Sequence, residues 1–197
     1  MNINKKQKLI LASCSPRRRE LIKLLDMDFE CISVDADEST NEIIPSKAVQ
    51  EISAKKARAA LSARKISLNE VIIGADTIVV FDDKLLGKPV DDDDAERMLL
   101  MLSGKTHFVY TGVTLIYLNE ANEISEISFA EKTEVNFAEI SLEEIKKYIS
   151  TGNHRDKAGS YAIQDEFGVH ITAIKGDYNN VVGFPVARIY SELKKLF

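Results

Sequence analysis

The chain has 197 residues, 45% of them apolar and 29% charged with both signs interspersed. That length buries one sizeable core, or two lobes sharing one sheet. A net charge of -5 and an isoelectric point near 5.3 argue against a broad basic footprint for a nucleic-acid polymer, so any basic cluster is local and suits a small anion. Cys14 and Cys31 form no metal-binding or redox pair motif, and with no disulfide framework a reducing cytoplasm is the expected location. Met1 to Lys8 is mostly polar, "LILA" (Leu9 to Ala12) is too short for a signal sequence, and no segment approaches a membrane span.

Strand and helix signals alternate. "KLILA" predicts a short buried strand. Ser15 follows as an N-cap with Pro16 at the first helical position, opening a helix to about Leu25 with Leu21, Ile22, Leu24 and Leu25 as its apolar face. "FECISVDADES" reads as extended and ends in acids. Pro45 opens a long alanine-rich helix through about Arg64. "VIIGADTIVVF" is a second apolar strand, Asp82-Asp83 a turn, and "LLGKP" the return. "DDDDAERMLLMLSG" predicts a helix stopped at Gly104. "HFVYTGVTLIYL" and "EISFAEKTEVNF" predict a hairpin about an acidic loop. "SLEEIKKYIST" opens on a capping box, Ser141 with Glu144, and Gly152 closes it. "DKAGSYAIQDEFG" reads as loop, "VHITAI" and "NVVGF" as strands around the turn "KGDYNN", and Pro185 as the start of the last helix. With no linker, repeat or low-complexity tract, a single mixed α/β domain over residues 1–197 is expected.

Three stretches carry chemistry. Arg17, Arg18 and Arg19 fill the first turn of the first helix, where the positive backbone end favours acids by about 0.3–1 kcal/mol each. They are either surface arginines paired with Glu20 and nearby acids, or part of an oxyanion socket. In the socket, helix N–H groups, the hydroxyls of Ser13 and Ser15, and the guanidinium of Arg17 or Arg18 hold a phosphate, with Arg19 in solvent. Asp76 interrupts an apolar strand, where an unpaired carboxylate costs several kcal/mol, so it takes a metal, a cation or backbone donors, or ties down a loop or bulge. Gly74 admits a ligand or another backbone at close range. Lys88, in the constrained "GKP" turn, is a second phosphate cation or a solvated lysine.

Other stretches point elsewhere. "SGKT" (Ser103 to Thr106) looks like the tail of a P-loop, but Leu99 stands where that motif needs glycine, and its lysine follows a helix instead of opening one. The acids Asp91 to Asp94 are explained by a helix start rather than a metal. Cys14 is expected as a small buried thiol, and His107, His154 and His170 have no base adjacent in sequence.

Taken in order, "LILASCSPRRREL", "IIGADTIVV", "LLGKP", "MLSGKTH", "DKAGSYAIQ" and "VVGFP" resemble the Maf family of nucleotide pyrophosphatases, historically named for inhibition of septum formation. The resemblance runs from about residue 8 to residue 195. It implies an elongated mixed β-sheet with flanking helices and two lobes about a central cleft, similar to inosine triphosphate pyrophosphatases, and a homodimer. It also implies hydrolysis of a nucleoside triphosphate between its α and β phosphates, giving a monophosphate and pyrophosphate, with a divalent cation, Mg²⁺ or Mn²⁺. Arg17, Thr77 and Gln164 match the subgroup acting on dTTP and UTP; a sister group acting on 7-methyl-GTP has Trp, Gln and Glu there. Asp76 matches the family's proton acceptor, and Lys56 a lysine near the phosphates.

On this reading Ser13, Arg17 or Arg18, Lys56 and Lys88 hold the triphosphate. Asp76 and Glu38 ligate the cation, with Asp37 as the alternative to Glu38. Thr77 and Gln164 bond a pyrimidine edge, and Asp156 and Lys157 order the loop carrying Gln164 or touch metal and phosphate. Two departures stand in that loop: Ala162 and Asp165 replace the usual glycines, and a carboxylate there bears on base selectivity. The alternatives are pyrophosphatase action on a modified or noncanonical nucleotide, with Asp165 reshaping the base pocket, and a nucleotide-binding regulator of cell division.

Overall fold

The computed structural model describes residues 7–196. Residues 1–6, with the lysines at the start of the chain, and residue 197 lie outside them, as does that part of the expected 1–197 domain. Among the described residues a seven-stranded sheet runs in the order β2 (Asp28–Cys31), β1 (Lys8–Leu11), β3 (Glu70–Phe81), β5 (Thr106–Leu118), β6 (Ile124–Phe137), β7 (Ile171–Lys175), with β4 (Lys84–Leu86) on β3. β1 (Lys8–Leu11) pairs in parallel with β2 (Asp28–Cys31) and with β3 (Glu70–Phe81). Leu9, Ile10 and Leu11 are fully buried, as befits a strand paired on both edges.

α1 (Pro16–Ile22) starts as expected, with the Ser15 hydroxyl accepting the Arg18 N–H, and tightens into a 3₁₀ turn at Lys23–Leu25. α2 (Pro45–Ala63) buries Ala48, Ala54, Ala57 and Ala60, small residues that let a helix lie close to a strand. β4 (Lys84–Leu86) returns antiparallel to β3. Asp82 and Asp83 both take positive φ, 46° and 58°, the conformation a two-residue hairpin turn requires. α3 (Asp92–Leu102) is capped by Asp91, which accepts the Asp94 N–H at 2.7 Å. β5 (Thr106–Leu118) and β6 (Ile124–Phe137) follow, then α4 (Leu142–Ser150) with the Ser141–Glu144 capping box in place. Two 3₁₀ turns, Ala158–Ser160 and Glu166–His170, precede β7 (Ile171–Lys175), which pairs antiparallel with β6. α5 (Tyr178–Val182) and α6 (Val186–Leu196) complete the chain.

One element departs from expectation. "NVVGF" is not a strand: its first residues end α5. Asp177 caps this turn by accepting the Asn179 N–H at 2.8 Å. Asn180 donates its side-chain amide to the Val109 carbonyl and the Thr133 hydroxyl, which fixes the turn against β5 and β6. These local bonds outweigh the strand preference of two valines.

The chain divides into two compact units, one of Met1–Asp76, Thr111–Glu131 and Gly183–Phe197, the other of Thr77–Tyr110 and Lys132–Val182. The first has a core around Leu9, Leu11, Ile22, Val113, Phe184 and Ile189, and a smaller one where Ala57 and Ala60 meet Ile10, Ile72 and Ile116. The second packs Leu99, Leu102, Val135, Phe137, Tyr161 and Phe167. No described helix is long and apolar enough to cross a membrane.

Candidate functional site

The first unit's site depends on how closely α2 lies on β3. A Cβ at Gly74 would stand 2.2 Å from the Ser53 carbonyl oxygen and 2.8 Å from the Ala57 nitrogen. At Gly112 of β5 it would stand 2.2 Å from the Val49 carbonyl oxygen. The helix therefore rests directly on two glycines, and the buried Ser53 hydroxyl reaches Thr114 at 2.9 Å.

This approach delivers Lys56 to Asp76. Both are buried, and the ammonium donates to Asp76 Oδ1 at 2.6 Å. The same ammonium lies 3.0 Å from Glu38 Oε1. The partner that a carboxylate in an apolar strand requires is thus a lysine, shared with a second carboxylate. Asp37 turns elsewhere, accepting the Ser39 N–H at 2.9 Å with Lys55 at 3.4 Å. Its bonds to Ser39 and Lys55 pull its pKa down to about 2.

The arginines divide by role. Arg18 is half-buried and its Nε donates to the Gly183 carbonyl at 2.9 Å. Burial lowers its pKa; Asp76 and Glu38 oppose that shift and Arg17 adds to it, so all four charges share one field. Gly183 takes φ of +111°, a conformation side chains rarely adopt, which makes it a built support for Arg18. Arg19 is exposed, and Glu20 pairs with Lys23 at 2.7 Å. The Ser13 hydroxyl accepts the Ser15 N–H at 3.1 Å, which shapes the turn before α1. Cys14 corrects an expectation: it is exposed, not buried, and stands between the half-buried Ser13 and Ser15 in the turn before α1.

The second unit holds the other candidates. Thr77 follows Asp76 along β3 and is half-buried. Lys88 is exposed beyond β4, next to Gly87, whose carbonyl accepts the Gly159 N–H at 3.0 Å. Gln164 is exposed between Tyr161 and Asp165. Asp165 caps a 3₁₀ turn by accepting the Phe167 N–H at 3.0 Å, and accepts the Tyr148 hydroxyl at 3.2 Å. Lys157 pairs with Asp156 at 2.9 Å and donates to the Asn153 carbonyl. Lys105 and Thr106 lead from α3 into β5, not into a helix, so "SGKT" forms no P-loop. Sequence reasoning missed Gly183, Tyr148, Tyr161 and His107 as supports; "VVGFP", "SYAIQ" and "GKTH" drew attention to their segments without revealing partners far away in the chain.

Among the described residues, no cluster of three or more His, Cys, Asp or Glu side chains could hold a metal alone. Asp76 and Glu38 converge on one cationic centre, and a pair of carboxylates is the donor set Mg²⁺ uses when phosphate oxygens and water complete its shell. The residues present fit such a cation.

The seven-stranded mixed sheet with its helices places the protein in a class of α/β folds shared with the Staphylococcus aureus Ham1 protein, at a TM-score of 0.54 over 96% of this chain and 99% of that one. Their sequences are 14% identical, so this likeness concerns fold alone. The profile described as Maf-like protein matches residues 8–196, and the chain belongs to that family. It is 48% identical to the dTTP/UTP pyrophosphatase of Agathobacter rectalis, over 95% of this chain and 97% of that one. It is 43% identical to the dTTP/UTP pyrophosphatase of Lachnoclostridium phytofermentans, over 95% and 94%.

Proposed function

We propose that this protein hydrolyses dTTP and UTP between the α and β phosphates, releasing the monophosphate and pyrophosphate. The observation that carries this reading is the buried Lys56 ammonium held by Asp76 and Glu38, the same two carboxylates whose charges act on Arg18. Relatives named dTTP/UTP pyrophosphatase support the base assignment.

Phosphoryl transfer asks a protein for charge neutralisation, in-line positioning and an oriented water. Arg17, Arg18, Lys56 and Lys88 supply cations for the triphosphate, and Ser13 shapes the turn beside them. Asp76 orients the attacking water or takes its proton. Water attacks the α-phosphorus, the bond to the α–β bridging oxygen breaks, and pyrophosphate leaves. Lys56 holds Asp76 and Glu38 together against their mutual repulsion, and these two carboxylates would hold Mg²⁺ or Mn²⁺. When bound, that cation supplies charge neutralisation and a more acidic water. Thr77 and Gln164 bond the pyrimidine edge. Asp165, turned inward to Phe167 and Tyr148, favours this reading over one in which its carboxylate reshapes the base pocket. The same reading carries a cytoplasmic homodimer, which light scattering and cell fractionation check.

Pyrophosphate release from a panel of nucleoside triphosphates tests the proposal. dTTP and UTP are expected to turn over fastest, chelation to abolish release, and Asp76→Asn to lower kcat at least about 100-fold. Tight triphosphate binding without release from any nucleotide overturns the enzyme reading.

A further inference from the structure

Gln164 is exposed, yet the chain on both sides of it is tied down. Upstream, Tyr161 is buried and its hydroxyl meets His107 Nε2 at 2.7 Å. Its ring packs edge-on against Phe137, with centroids 4.8 Å apart. Two residues earlier Gly159, at φ of +67°, lies so close to Val79 that a Cβ would stand 2.8 Å from its Cγ2, and its N–H reaches the Gly87 carbonyl. Downstream, Asp165 spends both carboxylate oxygens within its own surroundings, one on the Phe167 N–H and one on the Tyr148 hydroxyl. One buried phenol from α4 thus holds the residue directly after Gln164.

We propose that Tyr148 and Asp165, with the Tyr161–His107 pair upstream, are positioning residues that hold the backbone of Ile163–Gln164 and so set how sharply Gln164 discriminates between pyrimidine bases. The inference rests on the reading of Gln164 as a base-contacting side chain. The chemistry follows from the amide. A uracil edge offers an N–H donor at N3 and an acceptor at O4; cytosine reverses both. A glutamine amide presents one donor group and one acceptor, and rotation by a half turn serves either base. Hydrogen bonds form only across a window of about 2.7–3.2 Å, so a side chain on a mobile loop can shift to satisfy both edges. A loop stitched at both ends confines the amide to one position, and the mismatched base then leaves polar groups unpaired. Asp165 acts through the backbone and does not touch the base.

The test is kcat/KM for UTP and CTP, and the melting temperature, on the full-length protein and four variants. Tyr148→Phe and Asp165→Gly are expected to lower the UTP-over-CTP preference roughly tenfold, the scale set by loss of one hydrogen bond. The change should fall mainly in KM, with melting temperature near that of the wild type in Tyr148→Phe. Asp165→Asn keeps a cap oxygen for Phe167 and offers an amide donor to the phenol, so it is expected to retain the preference. Gln164→Ala is expected to abolish it. An unchanged preference in Tyr148→Phe and Asp165→Gly, with Gln164→Ala abolishing it, overturns the positioning role and leaves the base reading standing. An unchanged preference in Gln164→Ala overturns the base reading and this inference with it. Equal losses on both nucleotides in Tyr148→Phe show a structural role only and overturn the proposal.

Discussion

His107 has no exposed surface; one ring nitrogen is bonded to Tyr161 and the other, Nδ1, has no hydrogen-bond partner among the described residues. Burial drives its pKa from the ordinary 6.5 down to about 3. The unfolded chain therefore binds a proton between those values that the folded chain does not. Stability from this group is complete above the unfolded pKa and is lost as pH falls toward the folded one, with a slope of up to about 1.4 kcal/mol per pH unit. Denaturant unfolding of the wild type and His107→Gln between pH 7 and pH 4 checks this. The variant is expected to be less stable at pH 7 and to lose less on acidification, and parallel pH profiles refute the account. Residue-scale legibility has a clear limit here. That Asp76 needs a partner follows from a carboxylate in an apolar strand, but its lysine is supplied by a helix 20 positions earlier. His107 and Tyr161 are 54 positions apart, and no local pattern joins them.

α2 and β3 meet without a side chain between them at Gly74, and that contact sets where Lys56 lands. Gly74→Ala would place a methyl against the Ser53 carbonyl and force the helix outward. A destabilisation of about 1–3 kcal/mol is expected, read as a lower melting temperature. Pyrophosphate release measured well below that melting temperature should fall as well, because Lys56 is drawn from Asp76; unchanged release would show that the helix contact does not govern the site. Elements with their own punctuation were readable: Pro16, Pro45, the Asp82-Asp83 turn, the Asp91 cap and the Ser141–Glu144 box all act where they stand. "NVVGF" was not, since Asn180 is bonded to residues in β5 and β6. The inward turn of Asp165 was hidden for the same reason, its phenol partner lying on α4.

At the scale of the molecule, neither unit is a continuous piece of chain. β3 passes from one to the other after Asp76, β5 after Tyr110 and β6 after Glu131. A strand cannot melt in one unit and keep its hydrogen-bonded ladder intact in the other without fraying in its middle. A single calorimetric unfolding transition is expected, with van't Hoff and calorimetric enthalpies equal. Two resolved transitions would show that the units unfold separately.

The first unit's core joins Leu9 and Leu11 to Phe184, Val186, Ile189 and Leu193. A ribosome adds about 5–20 residues each second, so the first of these side chains waits on the order of ten seconds or longer for the last. Throughout that interval β1 has its helix α1 but lacks the cover of α6. Folding of this unit therefore waits until the segment from Phe184 to Leu193 has been made, and it depends on contacts of long sequence separation, which form slowly. A message cut short ahead of Gly183 yields a chain whose apolar face stays open, ready for a chaperone or a protease rather than for work.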